Sequence, residues 1–560
     1  MGRKKKESDV MPFDLFDMEN AEELMAKQQR ALDKKLRELE EINQEFNRRL
    51  NIDPKTDHIS KLIEEYKNKF GPTPWPLFGN SFDLDKKYSP GYGAFQKWSK
   101  KFGPVYTFWI GEIPIVAVTD YEVIKQTFIK DGDAYAGRDF LNAGFEALKD
   151  FSGGIHGVVR TQGDEWRHLR RFSTQVLKNL GMGKSTMETK ILTEVKSLVD
   201  CVKKDIHDGK KEHDIIPLID VGVGSVITQM MFGYRFHEDS RSEFFRLKET
   251  MIDEVVMASG IFCKMVLVMP WLRNFPIFST AFRKFDANIG EQFAFFDQQI
   301  SNQIMKCAEL KSKPGELFPP PDNFVEAFLR HIDANNNEEM TGESKYFSIP
   351  ALRNLCFELY GAGQETTSNT LNFVMLYMIL NEDCQCKMQE ELDRIIPEDR
   401  MILTTDKPKL PYTNAVIHEC QRLCNLVPQN LPHRTTRDVE ICGQKIEEGT
   451  RIVPQISSVL YDEKIFPEPH KFMPERFLDS DGQLKKCEEL IPFSIGKRQC
   501  MGESLARMEL FLFTANIFNK FHITMLDPAS PPTAEKISGL TVRPKDYTCT
   551  IEERKKPIGT

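Results

Sequence analysis

Along most of this chain, apolar residues recur with the period of an α-helix, and only a few short stretches alternate as strands do. The helical patterns lie near Glu165 to Leu180, from Met187 to about Ile206, between residues 240 and 330, from about Ser348 to Leu380, and from Glu503 to Phe518. The strand patterns lie at Val105 to Ile110, at Ile113 to Val118, and between residues 430 and 460, where Val439, Ile441, Ile446 and Ile452 are spaced by turn residues. A short Gly-containing turn joins the first two strands, which predicts a β-hairpin. The pattern therefore predicts a mainly α fold with small β-sheets.

The helix predicted from Ser348 to Leu380 is apolar nearly all round, and its length suggests a membrane span. Glu358 and the polar patch from Gly361 to Thr367 interrupt it, so we interpret it as a buried core helix. Nowhere do about 18 apolar residues follow one another, which is the length that a bilayer span requires. We therefore expect that the chain does not cross a membrane on its own.

Residues 1–69 differ from the rest, since they hold 15 basic and 16 acidic residues and few aromatics. A helix is predicted from Asn20 to about Asn51. A solvated amphipathic helix lying on its own domain is the favoured interpretation, and a coiled coil or a membrane-surface contact is the alternative. The Pro-rich run from Gly71 to Pro76 is a stiff boundary. We therefore expect an additional N-terminal helical segment, residues 1–69, before one large domain, residues 70–560.

Composition narrows the class of protein. Apolar residues make up 40% and charged residues 28% of the 560 residues, as in a globular protein. Lys and Arg number 75 against 83 Asp and Glu, so the net charge of -8 argues against a nucleic-acid partner bound by a global basic field. The 12 cysteines lack the dense spacing of a disulfide scaffold, which favours a reducing, cytosol-facing environment.

The stretch with the most specific spacing runs from Pro492 to Gly502, just before the last predicted helix. It places Cys500 in a Gly-rich loop, where backbone N–H groups and the positive end of the helix favour a thiolate, the form that binds metals. Gly496 and Gly502 permit close backbone approach or positive φ. Phe493 can cover the sulfur, and Arg498 can neutralise an anionic ligand edge. A buried, inert cysteine is the alternative, but the whole spacing F-x-x-G-x-R-x-C-x-G makes chance a poor explanation.

This loop resembles the haem-thiolate loop of the cytochromes P-450, and the closest likeness is to the animal microsomal enzymes that oxidise drugs, steroids and fatty acids. The resemblance implies the cytochrome P-450 fold, haem b as the cofactor and Cys500 as the axial ligand of its iron. Phe493, Gly496, Arg498 and Gly502 would then contact the haem.

Two further motifs resemble segments that bind haem in this family. Trp166 and Arg170 lie four residues apart on one helix face, and in the family both reach a haem propionate. His433, in the segment from Leu431, matches a position that does the same. Arg170, His433 and Arg498 would together offset two carboxylates. Taken alone, each resembles an ordinary surface charge.

The run from Ala362 to Thr367 in the long helix resembles the oxygen-activation motif of the family. Ala362 would allow the cofactor and O₂ to approach the helix backbone. The hydroxyl of Thr366 can turn from the helix ladder to bound dioxygen or water, and Glu365 can feed protons from solvent. We therefore predict Glu365 and Thr366 as the catalytic pair.

A fourth match is structural. Glu419 and Arg422 are three residues apart on one helix face, and Arg476 follows later. A surface ion pair is the ordinary interpretation of the first two. The resemblance implies instead a buried ion triad behind the haem loop, in which an Arg without its carboxylate would be costly.

The resemblance implies a haem-dependent monooxygenase that inserts one atom of O₂ into a small lipophilic substrate. The sequence contains no dinucleotide fingerprint, so electrons from NADPH would come through a separate flavoprotein, NADPH cytochrome P-450 reductase, with cytochrome b5 as an optional second donor. Arg167, Arg171 and Lys497 are candidates for its docking face, with plain solvated charge as the alternative.

An isomerase that rearranges peroxides, or a non-catalytic haem-binding scaffold, is the rival function. The apolar loop from Phe140 to Val159 does not identify a substrate.

The expected location is the cytosolic face of the endoplasmic reticulum membrane, with the cytoplasm as the alternative. The apolar run from Met265 to Leu272, with Phe275, Ile277 and Phe278, is a candidate for peripheral membrane contact. Ordinary core packing is the other interpretation of that run.

Overall fold

The computed structural model describes residues 71–75, 79–84, 92–111, 113–138, 153–236, 240–311, 319–335, 342–396 and 399–555. The helix predicted from Asn20 to Asn51 lies outside the described residues, as do parts of the Pro-rich boundary and of the loop from Phe140. The division of the chain after residue 69 therefore stays a prediction.

Helices form most of the described chain. The four described helices whose bounds were predicted, near residues 165–180, 187–206, 348–380 and 503–518, begin and end within two residues of those bounds. They are α1 Tyr92–Phe102, α2 Tyr121–Ile124, α3 Gly163–Asn179, α4 Ser185–His207, α5 Ile216–Phe232, α6 Arg241–Ser259, α7 Ile261–Val268, α8 Pro276–Lys311, α9 Phe324–Asn335, α10 Ile349–Leu380, α11 Glu382–Ile395, α12 Pro411–Cys424, α13 Ile456–Leu460 and α14 Glu503–Lys520. A π-helical turn, Lys125–Lys130, continues α2. The prediction of a mainly α fold is confirmed.

The strands form one four-stranded sheet and three two-stranded sheets. They are β1 Val105–Ile110, β2 Ile113–Val118, β3 His433–Arg434, β4 Val439–Ile441, β5 Gln444–Ile446, β6 Arg451–Pro454, β7 Phe521–Met525, β8 Lys536–Ile537, β9 Arg543–Pro544 and β10 Cys549–Glu553. The predicted hairpin is confirmed, with Val105 opposite Val118. The larger sheet has the order β1-β2-β6-β3, and β6 runs parallel to β2, with Val116 opposite Ile452.

The long helix α10 forms the centre of the larger core. Ser348 caps its first turn by accepting the N–H of Ala351 at 3.3 Å, and Pro350 occupies that turn, where its missing N–H costs nothing. Its residues from Leu371 to Ile379 are buried on every side, so the predicted core helix is confirmed. Within the described part of the chain, no helix has the length and the apolar character needed to cross a lipid bilayer.

The apolar run from Met265 to Leu272 belongs mainly to the core. Met265, Val266, Leu267, Met269 and Leu272 are all buried in a second core cluster, next to α8 and the β1–β2 hairpin. Among the side chains of this set that the structure describes, Trp271 and Phe275 are exposed, with exposed fractions of 50% and 52%, and Phe278 is half-buried. The side chains of Val268 and Ile277 lie outside the described part. The membrane contact stays a prediction, and Trp271 and Phe275 are its exposed candidates.

Candidate active site

Cys500 faces a cavity of about 320 Å³ that lies between α10 and the loop in front of α14. The N–H of Cys500 donates to the carbonyl of Phe493 at 3.1 Å, which closes the loop around the sulfur. Burial raises the pKa of the Cys500 thiol, whereas the N–H groups of Gly502 and Glu503 pull it down. The predicted thiolate-favouring donors are therefore present, and a coordinated metal would complete the deprotonation, as it does for a coordinating thiol.

The two glycines of the loop differ in why a side chain would not fit there. Gly496 has a φ of +78°, and a Cβ there would lie 2.0 Å from the carbonyl oxygen of Phe128 in the π-helical turn. Both predicted uses of glycine, positive φ and close approach, apply to Gly496. Gly502 has a φ of -86°, so it needs no special backbone conformation. A Cβ at Gly502 would instead contact the sulfur of Cys500 at 4.0 Å.

Three guanidinium groups line the cavity near the loop. Arg170 and Arg498 were predicted here, and the third belongs to Arg138. Arg498 donates to the carbonyls of Ala136, Val158 and Thr161, which fix its position without balancing its charge. Trp166 packs against it, and the indole Nε1 has no hydrogen-bond partner among the described residues. The predicted meeting of Trp166, Arg170 and Arg498 is therefore present in the structure.

Arg138 was missed by the sequence analysis. It is buried, its Nη1 donates to the carbonyl of Pro432 at 3.0 Å, and its Nε has no partner among the described residues. Burial lowers the pKa of Arg138 to about 10. No local motif marks this residue, because its contacts come from residues far along the chain.

His433 lines the cavity as predicted, but it does not supply charge. Its Nδ1 lies 2.8 Å from the carbonyl of Tyr135, so this nitrogen donates and carries the proton. Burial, with the charges of Arg138 and Arg498, lowers the pKa of His433 well below its ordinary value. His433 is therefore a neutral donor here, and its predicted share in offsetting carboxylates stays a prediction; the positive charges beside it belong to Arg138 and Arg498. The N–H donors without a partner, together with guanidinium groups that pair with no carboxylate among the described residues, fit a ligand that carries carboxylates, as haem does.

On the opposite wall, α10 presents Ala362 and Thr366 to the cavity. The hydroxyl of Thr366 donates to the carbonyl of Ala362 at 2.7 Å, within the helix. Because this bond lies at the cavity surface, the hydroxyl can exchange it for a bond to a molecule in the cavity. Gly363, next in sequence, serves packing, since a Cβ there would lie 2.5 Å from Cδ1 of Ile227 on α5.

Glu365 does not line the main cavity with Thr366. It is buried on another side of α10, where its carboxylate accepts from Lys248 Nζ at 2.9 Å and from Asn369 at 2.7 Å. Lys248 holds the pKa of Glu365 below its ordinary value against the opposing effect of burial. The side chain of Glu365 is therefore held in a buried ion pair, and its predicted role in feeding protons from solvent stays a prediction.

Two other carboxyl groups line the main cavity, and the sequence analysis assigned a role to neither. Glu358 accepts the N–H groups of Val158 and Val159 at 2.6 and 3.0 Å and pairs with Arg160, so it fastens α10 to the segment opposite. Both oxygens of Glu509 on α14 are buried and have no hydrogen-bond partner among the described residues. Burial raises the pKa of Glu509 well above its ordinary value, which favours the protonated form.

The predicted ion triad is brought together behind the loop. Arg422 Nε and Nη2 donate to the two oxygens of Glu419 at 2.7 and 2.8 Å, and both side chains are fully buried. Arg476 donates to Glu419 from the other side at 3.1 Å. The N–H of Met473 is a fourth donor at 2.9 Å, which fixes the chain before Arg476.

The candidate docking residues are exposed, as a docking face requires. Each has a carboxylate beside it, which is 2.6 Å away for Arg167, 3.0 Å for Arg171 and 3.3 Å for Lys497. The positive potential of this face is therefore partly offset, and its role stays a prediction.

Comparisons with a family model and with individual proteins point to the same protein family. A sequence model of the family described as "Cytochrome P450" matches residues 70–551. The chain is similar to cytochrome P450 2C16 of Oryctolagus cuniculus, with 35% identity over 486 residues, 86% of this chain and 93% of that protein. It is 34% identical to cytochrome P450 2C44 of Mus musculus over 487 residues, and 33% identical to cytochrome P450 2C23 of Rattus norvegicus over 486 residues; each match covers 86% of this chain and 93% of the relative.

Proposed function

Since this chain belongs to the cytochrome P450 family, we propose that it binds haem through Cys500 and oxidises small lipophilic substrates in the cavity beside Thr366. Family membership establishes the reaction class, which is haem-dependent monooxygenation with O₂. Electrons come from NADPH through a separate reductase. The expected location on the cytosolic face of the endoplasmic reticulum membrane agrees with this class.

The observation that carries the assignment of residues is that Cys500 and Thr366 line one cavity from opposite walls. Haem, when bound, supplies the oxygen-activating chemistry, and electron donation by its sulfur ligand favours O–O cleavage. Cys500 would be that ligand, and Arg138, Arg170, Arg498 and Trp166 would hold the propionates. The indole N–H of Trp166 and the Nε–H of Arg138 have no partner among the described residues, so the ligand's carboxylates would satisfy them.

The remaining residues of the cavity bind and orient the substrate and manage protons. Leu359, Ile227, Met230, Val427 and Leu431 give the cavity an apolar lining, which excludes water and favours lipophilic molecules. The hydroxyl of Thr366 is a donor that α10 presents to this space, once it leaves the carbonyl of Ala362. Glu509 on α14 adds a carboxyl group to the same cavity, and burial raises its pKa.

The decisive experiment compares the full chain with Cys500→Ser after reconstitution with haem. We expect the parent to show the red-shifted Soret band of the reduced carbon monoxide complex, and to couple NADPH consumption with reductase to oxygenated products from a panel of apolar compounds. Cys500→Ser should lose both. Cys442→Ser, at an exposed cysteine in the β4–β5 turn, is the matched control and should retain both.

A spectrum unchanged in Cys500→Ser would refute the ligand assignment. A normal spectrum in the parent without product from any compound would favour the scaffold or isomerase. Conversion of a peroxide without reductase would then separate those two.

A further inference from the structure

A pair of thiols lies at the end of α12, and one of them faces the main cavity. Cys424 is the last residue of α12, lines the cavity and has an exposed fraction of only 1%. Cys420, one helical turn earlier, is fully buried and is not among the residues that line the cavity. Its thiol donates to the carbonyl of Thr370 at 3.7 Å. The proposed oxidation of substrates uses neither thiol.

Lys536 on β8 brings an amino group to the same place. Its Nζ donates at 2.8 Å to the carbonyl of Leu423, directly before Cys424, and at 3.0 Å to the hydroxyl of Tyr461. Both acceptors are neutral, and no carboxylate of the described residues contributes to the titration of this lysine, whereas the thiol of Cys424 does. A cation that has left water without a counter-charge is costly, and an anionic sulfur at Cys424 would balance it.

The surroundings of Cys424 favour the anionic form of its sulfur. Burial raises the pKa of this thiol, but the hydrogen bond from Cys420 and the charge of Lys536 lower it, and the balance is a lowered pKa. The buried thiol of Cys356 on α10 has Asp297 nearby instead of a cation, and burial raises its pKa. Because the thiolate is the nucleophilic form of cysteine, Cys424 is activated, whereas Cys356 is an inert core residue.

We propose that Cys424 is a covalent capture site for small lipophilic epoxides that enter or form in the main cavity, and that Lys536 activates its thiol. The apolar walls of the cavity suit such a molecule. Insertion of one oxygen atom into a carbon–carbon double bond yields an epoxide, so the proposed oxidation is one source of this electrophile. The inference rests on the proposed cavity but not on turnover, because an epoxide added from outside reaches the same thiol.

The capture step is an addition that balances without any further reagent. The thiol proton passes to the amine of Lys536, and the sulfur of Cys424 attacks one carbon of the epoxide ring. A carbon–sulfur bond forms, the carbon–oxygen bond at that carbon breaks, and the oxygen takes the proton from Lys536. Burial lowers the pKa of Lys536 to about 8, so its amino group accepts and releases a proton near neutral pH. Nothing is oxidised or reduced and no group leaves, so the protein gains the full mass of the epoxide.

The first arm of the test adds styrene oxide to the haem-loaded full chain and locates the adducts by mass spectrometry of its peptides. We expect an adduct at Cys424 and none at Cys420, because entry through the cavity reaches one thiol, whereas opening of the end of α12 would expose both. Exposed Cys442 reports the reaction of a cysteine in water. Cys424→Ser should lose the cavity adduct and keep the adduct at Cys442.

The second arm tests the lysine. In Lys536→Met the rate of adduct formation at Cys424, relative to that at Cys442, should fall about tenfold at neutral pH, in proportion to a smaller thiolate population. Lys545→Met changes an exposed lysine of the same segment, paired with Glu535, and is the matched control. Its rate should equal that of the parent.

The third arm uses the parent alone, so it decides the question even if Lys536→Met fails to fold. Ethylbenzene has nearly the shape of styrene oxide but lacks the epoxide ring. By occupying the cavity, it should slow the reaction at Cys424 and leave the reaction at Cys442 unchanged.

Three results of the first arm would each overturn the capture site: no adduct at Cys424, equal adducts at Cys420 and Cys424, or an adduct that forms only in the haem-free protein. An unchanged rate with ethylbenzene would also overturn it, because the epoxide would then arrive by another route. An unchanged rate in Lys536→Met would overturn the role of the lysine. Absence of oxygenated products from the parent would refute the proposed function instead, since capture of an added epoxide needs no turnover.

Discussion

The guanidinium carbon of Arg498 lies 3.9 Å from the centre of the indole ring of Trp166. A cation at this distance over a Trp face is held by the ring quadrupole, and desolvation strengthens the attraction. The stack fixes both side chains at the edge of the main cavity and leaves the indole N–H without a protein partner among the described residues. The pair is thereby arranged in advance of ligand binding, which lowers the entropy cost of binding.

Trp166→Phe should weaken the hold on haem. Phenylalanine keeps a ring under Arg498 but has no N–H to donate, and a hydrogen bond to a charged group contributes about 1.5 to 3 kcal/mol. We expect haem to leave at least about tenfold faster, measured as transfer to an apoprotein acceptor. Trp98→Phe, in the second core cluster, is the control. Equal rates of haem loss in the parent and Trp166→Phe would refute the role of the indole N–H.

Glu419→Gln should strongly destabilise the fold. The change leaves Arg422 buried without its carboxylate, and breaking such a buried pair costs about 3 to 5 kcal/mol. The midpoint of urea unfolding should fall accordingly. Glu488→Gln removes a carboxylate that pairs with exposed Lys125 and Lys486, and it should change the midpoint little. Similar midpoints for the two variants would show that burial of the ion triad around Glu419 does not add to the stability of the protein.

Gly363→Ala should destabilise the protein because the added side chain meets α5. The added Cβ would lie 2.5 Å from Cδ1 of Ile227, and overpacking of this kind costs about 1 to 3 kcal/mol. The melting temperature of the variant should therefore fall. Ile227→Val removes Cδ1, so the double variant should recover part of the loss. No recovery in the double variant would place the strain elsewhere.

The stability of the protein should depend on pH through Lys536. Its Nζ donates to the carbonyl of Leu423 at 2.8 Å and to the hydroxyl of Tyr461 at 3.0 Å, and burial lowers the pKa of Lys536 from 10.5 to about 8. Between these values the unfolded chain holds a proton that the folded chain has released. The free energy of unfolding therefore gains a contribution that rises with pH, by at most about 1.4 kcal/mol per pH unit.

Lys536→Met should remove this contribution, which is measured as the difference in unfolding free energy between the parent and the variant from pH 7.5 upward. The unfolding free energy of the variant minus that of the parent should be largest near neutral pH and should shrink toward pH 10. Lys545→Met changes an exposed lysine of the same segment and serves as the control. A difference that does not vary with pH would mean that Lys536 titrates normally.

Local spacing in the sequence predicted those parts of the site whose members share one element. Trp166 with Arg170 and Glu419 with Arg422 could be paired because helix geometry places such neighbours together. The same geometry separates Glu365 from Thr366, since successive residues of a helix point about 100° apart, so only Thr366 of the two lines the main cavity. Arg138 and Lys248 could not be found this way. Their partners lie 294 and 117 residues away, and no single-element pattern records such distances.

The parallel pairing of β2 with β6 has a consequence for synthesis of the protein. The β1–β2 hairpin is made early, and its edge at Val116 stays unpaired until Ile452 has been made, roughly 340 residues later. At about 5 to 20 residues per second, synthesis of that stretch takes roughly twenty to seventy seconds. An unpaired strand edge is a template for aggregation during that interval. The nascent chain should therefore depend on chaperones that shield this hairpin on the ribosome.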